Sequence, residues 1–452
     1  MNRYDLVIVG GGPAGYIPAI RAAQLGKRVA VAEEEKIGGT CLNRGCIPTK
    51  TLIASAALLR HSLNARKYAL EGSLSFSWDK LSRRKDVVVN RLRKAVELHL
   101  NTLGIDIIRA HAILKSPNEI LIDGKLLEAG NVLLSPGSLP FLPGPFLAEG
   151  VQTSRDVLSW ETLPESLIIV GGGVIGCEFA SIFASLGVDI TIIEMLPSIL
   201  PGIDDDIKQV VHRSLRKSGV SIRTGSAVVE VNVSDESAAV TLADETRLSA
   251  ERLLVAIGRK ARTDDIGLES AGVEFTSSGI QTNENQMTNL EGVYAAGDVT
   301  GKWQLAHAGS AQALAAVDQM FGSGKRKVNS DAMPGCIFTF PEIAVVGPGQ
   351  DEWEKRGISV KTGISRYIAN SKAVGMNETE GFVKIIAREQ DDTVIGVQIV
   401  GTEASSLIGE AVMAVNLGVK ASEMGKMIHP HPTLSELFME AGESFGAGAI
   451  HG

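Results

Sequence analysis

The sequence predicts an α/β protein in which one parallel-sheet unit occurs twice, followed by a domain of α+β type. Three observations predict it: a strand, glycine turn, helix and strand at the start, a second copy from residue 167, and a change of pattern beyond residue 331. With 452 residues the chain exceeds what a single hydrophobic core serves, so several domains are expected.

In the first unit, residues 4–9 are apolar and rich in strand formers, and Gly10-Gly11-Gly12-Pro13-Ala14-Gly15 follows them. Residues 19–25 have helical patterning, and residues 29–32 read as a second strand that runs into Glu33. In such a unit Gly10 permits the tight turn, Gly12 lets a pyrophosphate approach the backbone, and Gly15 lets the helix sit close on the sheet. The helix N-terminus offers unpaired N–H groups and a positive dipole end. Glu33 stands where a carboxylate binds ribose hydroxyls.

The same arrangement recurs at residues 167–170, Gly171-Gly172-Gly173-Val174-Ile175-Gly176, a helix, and residues 189–193 running into Glu194. Glu33 and Glu194 stand at the same offset from Gly10 and Gly171. One such fingerprint is a weak signal; two in the same context specify two Rossmann-like dinucleotide-binding domains. Glu194 would repel a 2′-phosphate and residues 195–198 bring no arginine, so the second site favours NAD over NADP.

Residues 167–188 are apolar enough to imitate a membrane span. Gly171, Gly172 and Gly173 interrupt the stretch, however, and Glu178 would be costly in lipid, so a strand and a helix are expected. No signal-peptide pattern opens the chain, and a cytoplasmic protein is expected. A net charge of -8 argues against nonspecific binding to nucleic acid or anionic membrane.

Four cysteines are too few for a disulfide-stapled secreted fold, and no Cys/His cluster has zinc spacing, so no metal is expected. Cys41 and Cys46 form a close pair, which reads as redox-active or metal-binding rather than structural. On a regular helix their Cα atoms would lie about 7.5 Å apart along the axis, beyond the ~7 Å limit of an unstrained bridge. The backbone between them is therefore expected to tighten, which Gly45 eases.

Residues 38–50, GGTCLNRGCIPTK, resemble the active-site signature of the pyridine nucleotide–disulfide oxidoreductases. Ala295-Ala296-Gly297-Asp298-Val299 resembles that family's second flavin motif, and Val255-Ala256-Ile257-Gly258-Arg259 the strand closing its nucleotide domain. The resemblance covers essentially the whole chain. It implies FAD in the first site, on Gly10, Gly12, Gly15 and Glu33 together with Gly39, Thr40, Lys50, Gly137 and Asp298. It implies NAD in the second, on Gly171, Gly173 and Gly176 together with Glu178, Glu194 and Gly258.

The resemblance also implies roles. Cys41 would exchange with substrate sulfur, and Cys46 would lie against the flavin as a charge-transfer thiolate. Lys50 would stabilise negative charge on the reduced ring, with Glu178 either its ion-pair partner or a charge on a helix face. Residues 428–436, IHPHPTLSE, resemble the C-terminal signature of the dihydrolipoamide-oxidising members. His431 would then be the base and Glu436 the group orienting it, although residues 433–436 also fit a helix capping box. His429 is read as supporting. In this family the C-terminal domain forms a homodimer interface and sends its histidine across to the other subunit's cysteines.

The implied activity is NAD-linked oxidation of dihydrolipoamide on the lipoyl domains of a 2-oxoacid dehydrogenase or glycine-cleavage complex. The alternatives are another NAD(P)H-dependent disulfide reductase of the family, or a noncatalytic flavoprotein subunit. The expected division is 1–144 for FAD, 145–265 for NAD, 266–330 returning to the FAD domain, and 331–452 for dimerisation. Phe340-Pro341 and His431-Pro432 are candidate cis bonds. Three departures from the family pattern are expected to alter flavin affinity: Pro136 in Ser135-Pro136-Gly137-Ser138, Pro18 in the first helix, and the uncharged surroundings of His307.

Overall fold

A computed structural model describes residues 3–446 and 448–451. Met1, Asn2, Ala447 and Gly452, at the ends of the expected first and last domains, lie outside the described residues.

The first sheet is built around Arg3–Val9, with Val29–Ala32 and Lys125–Leu134 parallel on either side; Leu6 faces Val29 and Val9 faces Leu134. Asp106–Ile108 extends one edge in parallel, and Glu119–Ile122 then Ala112–Ser116 extend the other antiparallel. Val293–Ala295 pairs in parallel with Val132–Leu134, which returns the chain to this sheet from far along the sequence. Leu6 and Ile8 pack into one apolar cluster and Val7 and Val9 into another, so both faces are covered. A central strand buried on both sides needs an unbroken apolar run rather than alternation. The opening residues supply one.

The helix Pro13–Gln24 crosses Ala306–Phe321 where Gly309 meets Gly297 and Ala14. Pro18 lies in its second turn, past the N-terminal turn in which a missing donor costs nothing. The helix nevertheless runs on to Gln24 without the bond that an N–H at position 18 would make to Ala14. Pro18→Ala is therefore expected to stabilise the fold by about 1–2 kcal/mol, read as a raised denaturation midpoint. A lowered midpoint would mean that packing of the buried ring outweighs the lost bond.

The second sheet has four parallel strands in the order Ser221–Arg223, Asp189–Ile193, Ser166–Val170, Arg252–Val255. The apolar stretch at 167–188 is strand, glycine turn and the helix Val174–Ser185. Among the described residues no helix is long and apolar enough to cross a membrane. A small antiparallel sheet, Val228–Val233, Ala238–Leu242 and Arg247–Ala250, packs beside it. Ser138–Pro140 and Arg259–Ala261 pair antiparallel where the chain leaves the first unit and comes back.

The C-terminal part is a five-stranded antiparallel sheet in the order Pro334–Ile337, Glu342–Val346, Val394–Gly401, Phe382–Arg388, Val360–Arg366. Ala404–Leu417 and Glu436–Glu443 cover it, with Tyr367 and Phe438 fully buried in its core. The strand expected at 336–339 begins and ends two residues earlier. Phe340-Pro341 and His431-Pro432 are both cis.

Candidate active site

The two glycine turns have the same construction. Gly10 and Gly171 have φ of 101° and 107°, and a Cβ on either would overlap the carbonyl of a neighbouring strand end, Ser135 or Ala256. A Cβ on Gly15 or Gly176 would overlap the carbonyl of that first glycine. Gly12 and Gly173 are different: a Cβ on Gly12 meets nothing nearer than Gly39 Cα at 3.8 Å, and one on Gly173 meets nothing within 4 Å. These open positions leave room for a pyrophosphate to approach the helix N-terminus. Neither helix has a side-chain cap that would compete for its first N–H groups.

Glu33 and Glu194 also match. In each, one carboxylate oxygen accepts the N–H of the middle glycine, Gly11 at 2.8 Å and Gly172 at 2.6 Å. The other accepts the N–H two residues on, Glu35 at 2.9 Å and Leu196 at 2.8 Å. A carboxylate has about four acceptor sites, so each retains capacity for ribose hydroxyls. Burial pushes the Glu33 carboxyl upward against the Gly11 N–H.

A cavity of about 620 Å³ opens along the first turn, lined by Gly10, Gly12, Glu33, Gly39, Thr40, Gly137 and Asp298, and also by Cys41, Cys46 and Lys50. Gly15 does not line it and serves the packing of the helix. The open Gly12 position, the uncapped helix and a volume suited to a large cofactor fit FAD. Pro136 lines the cavity, and the Ser135 hydroxyl beside it donates to the Val9 and Gly10 carbonyls.

The helix between the cysteines is not regular, and it departs from regularity at the glycine expected to ease this. It breaks: Gly39–Arg44 ends, Gly45 takes φ -145° and ψ -107°, and Cys46–Leu63 begins a new helix. A Cβ on Gly45 would press on the Thr40 carbonyl at 3.0 Å. Both cysteines are free in this structure, Cys41 half-buried and Cys46 exposed. The Cys41 thiol donates to Cys46, which with Lys50 outweighs burial and brings the Cys46 thiol down to about 7. The same contact and burial push Cys41 far up. Negative charge therefore settles on Cys46.

Lys50 Nζ lies 2.8 Å from both oxygens of Glu178, which is only 5% exposed, and 4.4 Å from the Phe338 ring centroid. The Phe338 N–H donates to Glu178 at 3.0 Å. Glu178, grouped with the NAD residues by sequence, thus faces the first cavity and ties three parts of the chain together. The remaining second-site residues, Gly171, Gly173, Gly176, Glu194 and Gly258, gather at the other turn, Gly258 with φ 125°.

His431 Nδ1 lies 2.9 Å from Glu436 Oε1, and Glu436 Oε2 accepts the Thr433 N–H at 2.8 Å. One Glu436 oxygen thus holds the His431 ring and the other the Thr433 N–H, while the helix itself begins at Glu436 with Ser435 as its N-cap. The capping box is incomplete, because the Thr433 hydroxyl donates to Pro430 O. His431 does not line the cavity of its own chain's cysteines, and its side chain is 71% exposed. His429 is paired with Glu410 at 3.0 Å.

Sequence reasoning passed over several residues of the cavity wall. Arg259 and Ser138 stood inside quoted motifs, yet their pairing across 121 positions had no local signature. Glu34 pairs with Arg262 and, at 3.1 Å, with His111; Arg262 foremost holds its carboxyl below the usual range.

The pattern described as pyridine nucleotide-disulphide oxidoreductase matches residues 4–313, and that family's dimerisation domain matches 333–442, which supports a homodimer. A dihydrolipoyl dehydrogenase of Bacillus subtilis is 40% identical over 99% of this chain and 99% of the relative. One from Thermus scotoductus is 36% identical over 100% and 99%. Among solved structures, LpdA from Mycobacterium tuberculosis superposes with a TM-score of 0.91 at 29% identity, covering 99% of this chain and 100% of that one. The Cu(II) complex of the HOCl-induced flavoprotein disulfide reductase RclA from Escherichia coli gives 0.86 at 28%, covering 96% and 98%. With both patterns matched in order along one chain, the protein belongs to the pyridine nucleotide–disulphide oxidoreductase family.

Proposed function

We propose that this protein oxidises dihydrolipoamide to lipoamide with NAD⁺ as acceptor, as the cytoplasmic flavoprotein component of a 2-oxoacid dehydrogenase or glycine-cleavage system. The observation that carries this reading is the division of the chemistry into two exposed halves. A dithiol beside Lys50 lines the FAD cavity, and an exposed His–Glu pair lies outside that lining.

In the homodimer, His431 of one subunit completes the cysteine site of the other. Starting from the oxidised pair, His431 takes a proton from a substrate thiol, and the thiolate attacks Cys41. The Cys41–Cys46 bond breaks, the second substrate thiol displaces Cys41, which takes up that thiol's proton, and lipoamide leaves while the cysteines keep the electron pair. Cys46 holds the resulting negative charge, with Lys50 beside it and Glu178 fixing Lys50. When bound, FAD supplies the route by which that pair reaches NAD⁺. Glu194 selects NAD⁺ by leaving no place for a 2′-phosphate. Glu33 and Asp298 hold the flavin's ribose and ribityl hydroxyls.

Anaerobic addition of dihydrolipoamide to the purified flavoprotein, followed by NAD⁺, tests the reading. A long-wavelength absorbance band should appear and NADH should then form. Cys46→Ser should abolish the band; a variant that kept it would overturn the assignment of that thiol.

The pH dependence follows from the lowered Cys46 thiol. A depressed value means that thiolate is present above it, so the band should grow as pH rises through about 7. Lys50→Met should move that midpoint upward by removing a nearby positive charge. An unmoved midpoint would exclude Lys50 as a source of the shift.

A further inference from the structure

Asp298 does not stand alone in the FAD cavity. Its Oδ2 accepts the Ser138 hydroxyl at 2.5 Å, and that hydroxyl oxygen in turn accepts Arg259 Nε–H at 2.7 Å. Arg259 Nη2–H also donates to the Ser138 carbonyl at 2.6 Å, so the planar guanidinium grips one residue at two points. Its Nε is 4.0 Å from Asp298, and its side chain is largely buried. Burial disfavours the charged guanidinium, and Asp298 opposes that effect.

The origin of Arg259 matters as much as its contacts. It begins the strand Arg259–Ala261, which pairs with Ser138–Pro140 at the crossing between the two dinucleotide units. Just before it, Arg252–Val255 belongs to the second sheet, and Ala256 packs against the Gly171 turn. A residue of the second unit's closing segment therefore reaches into the first unit's cavity. Three residues on, the Arg262 N–H donates to the Gly137 carbonyl at 3.0 Å, and its guanidinium pairs with Glu34 beside Glu33. The returning segment grips the cavity at both ends.

We infer that Arg259 is a positioning residue for the flavin: through Ser138 it fixes the orientation of Asp298, and so FAD retention depends on a side chain supplied by the nucleotide unit. The physical reason is that a half-buried carboxylate with one hydrogen-bond donor can swing, whereas one held by a hydroxyl that is itself locked by a bidentate guanidinium cannot. The hydroxyl has a single proton. With Arg259 donating to its oxygen, that proton is directed at Asp298, which leaves the other carboxylate oxygen for a ligand hydroxyl.

The test measures release of FAD from the purified holoprotein by the rise in flavin fluorescence on dilution, with the visible flavin spectrum recorded alongside. Arg259→Ala should speed release by about 10–100-fold, the range expected for losing charge-assisted bonds. Arg259→Lys keeps the charge without the fork and should recover only part of that loss. Ser138→Ala should resemble Arg259→Ala, and the double variant should be no worse than either single one, because both act through one path. Unchanged release in Arg259→Ala, or losses that multiply in the double variant, would overturn the inference. Should Arg259→Ala not fold, Arg259→Lys and Ser138→Ala still decide through release rate and spectrum. The inference rests on FAD occupying the first cavity. A native protein without flavin would sink that placement, whereas native retention with an indifferent Arg259 would sink only the inference.

Discussion

His431→Gln is expected to lower the rate of dihydrolipoamide oxidation by about 10²–10⁴-fold while leaving FAD binding and the fold in place. The expectation comes from three features of the site. Thiol–disulfide exchange requires thiolate, and a substrate thiol is mostly protonated near neutrality. His431 is exposed, so its replacement opens no core. Glu436 holds Nδ1 of the ring at 2.9 Å, which leaves Nε2 to meet the substrate proton. Burial works against ionisation of Glu436, but the Thr433 N–H and His431 outweigh it and hold its carboxyl below the usual range. The orienting charge therefore persists across the working range of pH. Rapid-mixing absorbance of the reductive step is the measurement to make. A His431→Gln variant reduced as fast as the native protein would remove His431 from the chemistry. Mixing it with a Cys41→Ser variant should restore activity only where subunits exchange, because each mixed dimer then contains one intact site.

Much of this was legible in the sequence because the relevant constraints are local. The glycine turns follow from positions where a Cβ would strike a backbone carbonyl, and Gly10, Gly15, Gly171 and Gly176 all meet that condition. The order of strand, turn and helix followed from short apolar runs bounded by glycine. What was not legible is non-local. That the backbone between the cysteines would leave the regular helix was legible, but its form, a full break at Gly45 between two helices, was not. Glu178 was grouped with the second turn by proximity in sequence, and its pairing with Lys50, 128 positions away, was expected only through the family resemblance. The link from Arg259 through Ser138 to Asp298 depends on a two-stranded crossing whose halves are far apart in the chain. Local patterns reveal which residues must be glycine; they do not reveal which charges will meet.

Lys384→Met is expected to cost about 3 kcal/mol of stability. Lys384 alternates with Val383 and Ile385, which face the domain's own core, so it lies on the opposite face of the C-terminal sheet, with only 3% exposure. Its ammonium makes bonds of 2.8 Å to Asp204 and of 2.8 and 2.9 Å to the two oxygens of Asp206, at the start of the helix Asp205–Lys217 of the second unit. Asp204 also accepts the Gln350 N–H at 3.2 Å. Taking three charges out of water is costly, and the cluster as a whole is no strong source of stability. Removing its one cation is different, because Asp204 then stays buried beside a methyl group with a single long hydrogen bond. Asp206 is 44% exposed and can turn to water, which keeps the loss at the lower end of the ~3–5 kcal/mol range for breaking buried pairs. The pair joins the NAD-binding unit to the domain that presents His431, so the loss should appear as an early, separate unfolding transition of the second unit in denaturant. Asp204→Asn combined with Lys384→Met should recover part of the stability by removing the stranded charge. A Lys384→Met variant with an unshifted midpoint would show that water already reaches the cluster and that the junction is held by its apolar contacts alone.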